Sequence, residues 1–364
     1  MNENLILLLG AGASASFGYS LSSDLSIYQE IENLPTESLY LLEEENVSKK
    51  DLKPFIEDIE HYLQRRIGQI NFEAAIDRSN YYYHIVNEIK NDDSLSDVLL
   101  ANQEIRVEAG LLSKRSRVLF ELLYKVLLNI YGINRINPSN NDDARKLLSL
   151  LEGLQKYNIK NNPPIYTTNY DAAWENIANL SDNYYQDFII RSAQKDSVES
   201  TFSIRRLHGC VRYCRNESGC SYLNDEEIDW KRLEFKDKLN LNLSELMIVK
   251  IGQQEPVLDE EPFRSVFSVF ESDLNKNNTI FIVIGFSFRD INVSHRIFDA
   301  FQNNAIKKII CIDPLLSHDD IIERLLIAGG CSFNKSSKET LKKHISIINR
   351  EISEVTIDQI LKHL

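Results

Sequence analysis

Apolar residues follow two different patterns along this chain. In one, they form short unbroken runs that stop abruptly at small or polar residues. "LILLLGAGAS" (Leu5 to Ser14), "PPIYTTNYD" (Pro163 to Asp171), "SIRRLHGC" (Ser203 to Cys210), "TIFIVIGFSFRD" (Thr279 to Asp290) and "KKIICIDP" (Lys307 to Pro314) are of this kind. Unbroken β-branched and aliphatic runs of this length predict strands buried on both faces. In the other pattern, apolar residues recur every three or four positions. "FIEDIEHYLQRRI", "NFEAAIDRSNYYYHIVNEI", "LLANQEIRVEAGLL" and "RSRVLFELLYKVLLNIYGI" follow one another with Pro54 alone among them, which predicts a run of amphipathic helices.

The two patterns alternate in blocks. Residues 1–34 and 137–330 predict a Rossmann-like, doubly wound parallel α/β sheet. Residues 35–136 predict a large helical insertion, and residues 331–364 a C-terminal helical tail. "SLSSDLSIYQEI" is expected to be a helix capped by Ser20 or Ser22. "PSNNDDARKLLSLLEGLQKY" is expected to be another, capped by Ser139 or Asn140, with Leu147, Leu148, Leu151 and Leu154 on one face. A further helix should follow Asp290, with Val293, Ile297, Phe298 and Phe301 on one side. Asp290 and Asn292 read as its caps, with a ligand contact as the other option.

Composition narrows the classes. The chain has 364 residues, 43% of them hydrophobic, enough for one large or two smaller cores. It carries 41 basic and 54 acidic side chains, a net −13 with histidine neutral. Such a surface repels phosphate backbones and argues against direct nucleic-acid binding. No run approaches the length of a membrane span, and the five apolar residues before Gly10 are too few for a signal peptide. The expectation is a cytoplasmic protein with its five cysteines reduced. Lys114, Arg115 and Arg117 form the densest basic cluster, expected to be a solvated helix face or a partner contact.

In a parallel sheet the polar ends of the strands share one rim, and ligands bind beyond that rim. Gly10, Ala11, Gly12 and Ser14 follow the first run. Thr167, Thr168, Asn169 and Asp171 follow the second, Gly285 and Ser287 the fourth, and Asp313 ends the fifth. Glycines there would let a backbone approach a pyrophosphate, and Asp313 would accept from ribose hydroxyls. Each feature also has a plain alternative. The glycine turn can be a tight corner, "TTNYD" an Asx-type turn, His208 a satisfied strand-end histidine and Asp313 a strand terminator.

Taken in this order, "GAGAS", "TTNYD", "LHG" and "GFSFRD" resemble the sirtuin (silent-information-regulator) superfamily, and within it the bacterial sirtuin-like proteins of phage-defence systems. The resemblance covers residues 4–30 and about 145–315, and "NFEAAID" from Asn71 is similar to a feature of that bacterial branch. It implies that Asn169 and His208 are catalytic, His208 as general base. It implies that Gly10, Ala11, Gly12, Ser14, Thr168, Asp171, Gly285, Ser287 and Asp313 bind NAD as substrate. The implied activity is hydrolysis of NAD to nicotinamide and ADP-ribose, which depletes the cofactor during infection. The implied partner is a HerA-type hexameric ATPase, ahead of a short Argonaute-type protein, together with homo-oligomerisation.

Two departures from the superfamily bear on the reaction. Protein-deacylating sirtuins carry a "GIPDFR"-like segment where this chain has "GYSLSSDL", Gly18 to Leu25, which argues against acyl-lysine chemistry. Their four-cysteine zinc module is replaced by Cys210, Cys214 and Cys220 at unequal spacing, so no metal is expected. A non-catalytic NAD- or ADP-ribose-binding regulatory module stands as the alternative function. An NAD-dependent protein deacylase is a further one. Asn169 and His208 together favour turnover, because binding alone does not need both.

Overall fold

The computed structural model describes residues 3–15, 19, 26–67, 72–91, 103–132, 142–157, 163–171, 173, 185–187, 202–216, 219–222, 228–235, 246–248, 261–331 and 335–364. The proposed caps Ser20, Ser22, Ser139 and Asn140 lie outside the described residues, as does most of Gly18 to Leu25.

In chain order the first elements are β1 (Asn4–Leu9), α1 (Ala11–Ala15), α2 (Ile27–Glu32), α3 (Tyr40–Glu44), α4 (Lys49–Ile67), α5 (Phe72–Asn91), α6 (Gln103–Leu127) and α7 (Asp142–Tyr157). Strands follow: β2 (Ile165–Thr167), β3 (Tyr185–Asp187), β4 (Phe202–Arg206), β5 (Gly209–Asn216), β6 (Gly219–Tyr222), β7 (Ile228–Asp229), β8 (Glu234–Phe235) and β9 (Leu246–Ile248). Alternation then resumes with α8 (Phe263–Leu274), β10 (Thr279–Ile284), α9 (Ile291–Gln302), β11 (Ile306–Ile312), α10 (His318–Ala328), α11 (Lys335–His344), β12 (Ile345–Ile348) and α12 (Ile357–Leu361).

Seven strands form one sheet in the order β12-β11-β10-β1-β2-β4-β3, and all pairings are parallel. Setting the outermost β3 aside, the remaining six follow the 3-2-1-4-5-6 order of doubly wound dinucleotide-binding sheets. The fold is therefore mixed α/β and Rossmann-like. Two of the runs read as strands are buried throughout: Leu5 to Leu9 and Ile280 to Ile284 are each at most 3% exposed. Removing each such side chain from water contributes about 1.5–3 kcal/mol.

The chain divides into two compact units, the first comprising 1–19, 134–210 and 253–364 and the second 20–133 and 211–252. The boundaries differ from the sequence expectation: residues 20–34 and 211–252 fall in the helical unit, and the tail falls in the sheet unit. Residues 211–252 belong with the helical unit, because buried cations tie them to it. Arg212 donates to the Gly132 carbonyl (Nη2, 2.7 Å), and the Lys125 ammonium donates to the carbonyls of Ser38 (3.0 Å) and Arg232 (3.1 Å). The tail, expected to be wholly helical, also supplies β12 at the edge of the main sheet. "ISII" there is short and follows a strongly basic helical stretch, so periodicity reads through it.

Within the helical unit, α6 is one continuous helix where the sequence suggested two segments. The basic cluster on it is partly neutralised: Arg117 lies 3.0 Å from Glu45, and Lys114 4.0 Å from the same carboxylate. Arg78 is stacked among three tyrosine rings, at 4.1 Å from Tyr62, 5.1 Å from Tyr81 and 4.4 Å from Tyr82.

Candidate active site

The parallel register sets the last residues of five strands in one row. Leu9 pairs with Thr167 and Ile284, Thr167 with Arg206, and Ile284 with Ile312. The ladder runs one residue further, with backbone N–H groups of Gly10, Thr168, Leu207 and Gly285 donating to Ile284, Leu9, Thr167 and Ile312. Gly10, Thr168, His208, Gly285 and Asp313 therefore all stand at or just past one rim. The strand order reverses between β1 and β10, the position where such sheets bind ligands.

The two loops at that switch point touch backbone to backbone. A Cβ on Gly10 would lie 2.5 Å from the Gly285 carbonyl oxygen, and one on Gly12 2.9 Å from Gly285 Cα. A Cβ on Gly285 would lie 2.3 Å from Ala13 N, and Gly285 itself has φ +62°. The Gly12 N–H donates to the Gly285 carbonyl and the Ala13 N–H to the Gly10 carbonyl. The glycines thus serve the mutual packing of the β1 and β10 loops, and two turn N–H groups are spent inside the protein. Ala11 and Gly12 remain exposed on the outer side of this contact.

Asn169 ties this turn to the end of β2. Its Nδ2 donates to the Gly10 carbonyl (2.9 Å) and to Ser14 Oγ (2.8 Å), and its backbone N–H donates to Thr167 Oγ1 (3.0 Å). Asn169 and Ser14 are buried. Ser14, accepting there, keeps its own proton to donate, and Asn169 Oδ1 is the end not used in these bonds. Asp171 Oδ1 accepts from the Ala173 N–H (3.0 Å), while its carbonyl accepts from Arg206 Nη1 (2.9 Å). Arg206 is fully buried, so the site stands over an enclosed guanidinium.

His208 Nε2 lies 2.6 Å from Asp290 Oδ2, with the two side chains 9% and 10% exposed. The contact is close but poorly aligned, since Oδ2 has no donor in good hydrogen-bond geometry. Asp290 Oδ1 accepts from the Val293 N–H (3.0 Å) and so caps α9. Burial pushes the Asp290 carboxyl up. The neighbouring His208 at 2.6 Å and the backbone N–H groups outweigh burial and hold it below the usual carboxylate range. The Tyr170 ring stands 6.2 Å from the imidazole.

The loop carrying Asp290 is strained. Phe288 is buried with φ +57°, a left-handed conformation that bulky residues avoid. Ser294 Oγ donates to its carbonyl (3.0 Å), and its ring packs on Phe286 at 5.2 Å. Such a conformation persists only where its surroundings over-determine it.

The structure joins Gly10, Gly12, Ser14, Asn169 and Gly285 through direct contacts. Ser287 and Asp313 stand on the same rim without a contact to that group among the described residues. The Ser287 carbonyl accepts from Arg324 Nη1. Asp313 Oδ1 accepts from the N–H groups of Leu315 (2.8 Å) and Leu316 (3.0 Å), an Asx-type turn. His295, a possible rim residue by sequence, instead pairs with Asp299 at 2.8 Å on the exposed face of α9. Cys214 and Cys220 lie on paired strands β5 and β6. Among the described residues no group of His, Cys, Asp and Glu is arranged to hold a metal, and no helix is long and apolar enough to cross a membrane.

Arg206 escaped the sequence reading, since it precedes "LHG" in an ordinary-looking strand. Asp290 caps α9 as its sequence suggested, but its pairing with His208 was not foreseen. The signal for Asp290 was present in "FRD", an acid at a strand-to-helix turn.

No protein-family model matches the chain, and no curated protein matches it. Among solved structures, a Sir2 homologue mutant in complex with ADP ribose matches at 12% identity with a TM-score of 0.38, covering 99% of this chain and 93% of that one.

Proposed function

We propose that this protein is an NAD hydrolase, cleaving NAD with water to nicotinamide and ADP-ribose. The carrying observation is the convergence on one rim of a buried amide, Asn169, and a buried imidazole–carboxylate pair, His208 and Asp290. The ordered motifs that resemble the sirtuin superfamily supply the substrate.

The chemistry suits these residue types. Breaking the nicotinamide–ribose bond leaves positive charge at the anomeric carbon, and nicotinamide departs as a neutral molecule without a strong general acid. His208 takes a proton from the attacking water as the new C–O bond forms. Asn169 orients the nucleophile without adding charge, and Ser14 donates to a substrate oxygen. Ala11, Gly12, Thr168, Asp171, Gly285, Ser287 and Asp313 line or support the remaining course of the dinucleotide. Asp313 would use Oδ2 for the adenosine ribose, because Oδ1 is engaged in its own turn.

In the wider reading the enzyme is a cytoplasmic, homo-oligomeric effector of anti-phage defence that depletes NAD when triggered. A HerA-type hexameric ATPase is the partner, and no nucleic acid is bound directly. Chromatography of NAD and its products over time tests the activity, comparing wild type with His208→Ala, each with and without an acetylated peptide. Nicotinamide and ADP-ribose from wild type alone, indifferent to peptide, support the hydrolase. Peptide-dependent turnover supports a deacylase. NAD binding with no turnover, even with a co-encoded ATPase present, supports the regulatory module.

A further inference from the structure

We infer that Asp290 is a positioning residue for His208, fixing the imidazole proton on Nε2 and leaving Nδ1 as the basic nitrogen of the site. This rests on the reading that His208 takes a proton during NAD hydrolysis, and adds to it the tautomer and the group that sets it.

The inference begins with a distance. At 2.6 Å, an unprotonated Nε2 would be pressed against Asp290 Oδ2 with no hydrogen between them. That arrangement is repulsive, so Nε2 carries a proton whether the ring is neutral or charged. In the neutral ring the lone pair is then on Nδ1.

The second argument is that Asp290 does more than a cap requires. One oxygen suffices to cap α9, and Oδ1 does so through Val293. Oδ2 is directed to the histidine. The carboxylate cannot easily turn away, because its loop is constrained by Gly285 in a left-handed conformation, by left-handed Phe288, and by the Ser294 bond to the Phe288 carbonyl. Burial of both side chains limits screening of the pair by solvent.

The titratable and charged groups on the segments around His208 are few. Asp290 and Arg289 come from the loop before α9, Tyr170 and Asp171 from the loop after β2, and Arg206 from its own strand. Of these, Asp290 is in ionic contact and Tyr170 presents a ring at 6.2 Å. Arg206 is directed to the Asp171 carbonyl.

Nuclear magnetic resonance of the full chain carrying ¹⁵N-labelled histidine tests the inference directly. The His208 ring is assigned by its loss in His208→Gln. The wild-type neutral ring should show the Nε2–H tautomer. Asp290→Asn retains an oxygen to cap α9 but offers the ring either an amide oxygen or an amide N–H, and should admit both tautomers. Asp290→Ser retains a cap but not the reach, and should release the ring into a mixture of tautomers. An Nδ1–H tautomer in wild type overturns the inference even if neither variant folds. So does a single Nε2–H tautomer retained in Asp290→Ser.

The kinetics of NAD consumption give the second readout. In Asp290→Ser kcat should fall while KM for NAD holds, because the ring is misdirected and the binding surface is intact. If the ring behaves as stated but no NAD is consumed, the positioning role stands and the hydrolase reading fails. If NAD is consumed at the wild-type kcat with one tautomer retained in both variants, the positioning role fails and the hydrolase reading stands.

Discussion

Strand β2 and the loop after it carry two buried polar groups only three residues apart, Tyr166 and Asn169, and their surroundings differ in kind. The Tyr166 hydroxyl donates to Asp273 Oδ2 (2.6 Å) and accepts from Arg205. Arg205 also pairs with Asp273, while Lys276 Nζ takes the other carboxylate oxygen at 2.6 Å. Burial, with the nearby Asp273 carboxylate, pushes the Tyr166 phenol well above its ordinary range against the pull of Arg205, so it stays neutral. Both Asp273 oxygens are spent on the protein, and the cluster ties β2, β4 and α8 together. Around Asn169 the bonds instead fix an orientation and, among the described residues, leave a hydroxyl proton on Ser14 and an amide oxygen on Asn169 outside them. A carboxylate with both oxygens bonded inside the protein marks a structural cluster, and capacity held in a fixed orientation marks a site.

The sharpest way to break this contrast is Asn169→Ala. It should reduce NAD turnover by about 100-fold or more, while NAD affinity measured by calorimetry changes by less than about tenfold, or roughly 1.4 kcal/mol. Turnover at the wild-type rate would remove Asn169 from the site.

Gly285→Ala comes next, because it strikes the backbone contact that builds the rim. With a left-handed φ and a Cβ 2.3 Å from Ala13 N, it should cost about 2–4 kcal/mol in denaturant unfolding. An unchanged midpoint would show that the two loops separate freely.

Tyr166→Phe tests the structural side. It removes the hydroxyl between Arg205 and Asp273 and should cost about 2 kcal/mol, with NAD turnover per folded molecule unchanged. A selective loss of turnover would place Tyr166 in the catalytic machinery and collapse the distinction.

The smallest effect is on acid stability. Asp273 is raised by burial, but its bonds to Lys276 and Tyr166 and the charge of Arg205 prevail, so its folded-state pKa lies below the ordinary value, as does that of Asp290. A lowered carboxylate pKa contributes stability that is present above the unfolded value, near 3.9, and is lost as pH falls through the folded one. Melting temperature should therefore hold from neutral pH to about pH 5 and fall below about pH 4. Asp273→Asn should flatten that fall; an identical acid slope would assign it to other carboxylates.

Much of this was legible in the chain, for identifiable reasons. LILLL and TIFIVI announce buried parallel strands because no polar residue interrupts them, and Pro314 marks where β11 must stop. The tail was harder: the four residues of β12 follow a helix directly and become a strand only because β11 offers an open edge. Residues 211–252 were assigned by sequence to the sheet unit. The buried contacts of Arg212 and of Lys125 with Arg232, which no local pattern encodes, place them with the helices.

The sequence by itself determined the parallel sheet, the helical block and the residue types at the strand ends, since burial periodicity and turn chemistry are local properties. Only the tertiary structure decided what those ends do to one another. The glycines of β1 proved to be spacers against Gly285, because contacts between residues over 270 positions apart depend on register across the sheet. Asp290 became the partner of His208 because a left-handed phenylalanine turns its loop back over the rim, and no spacing along the chain records that turn.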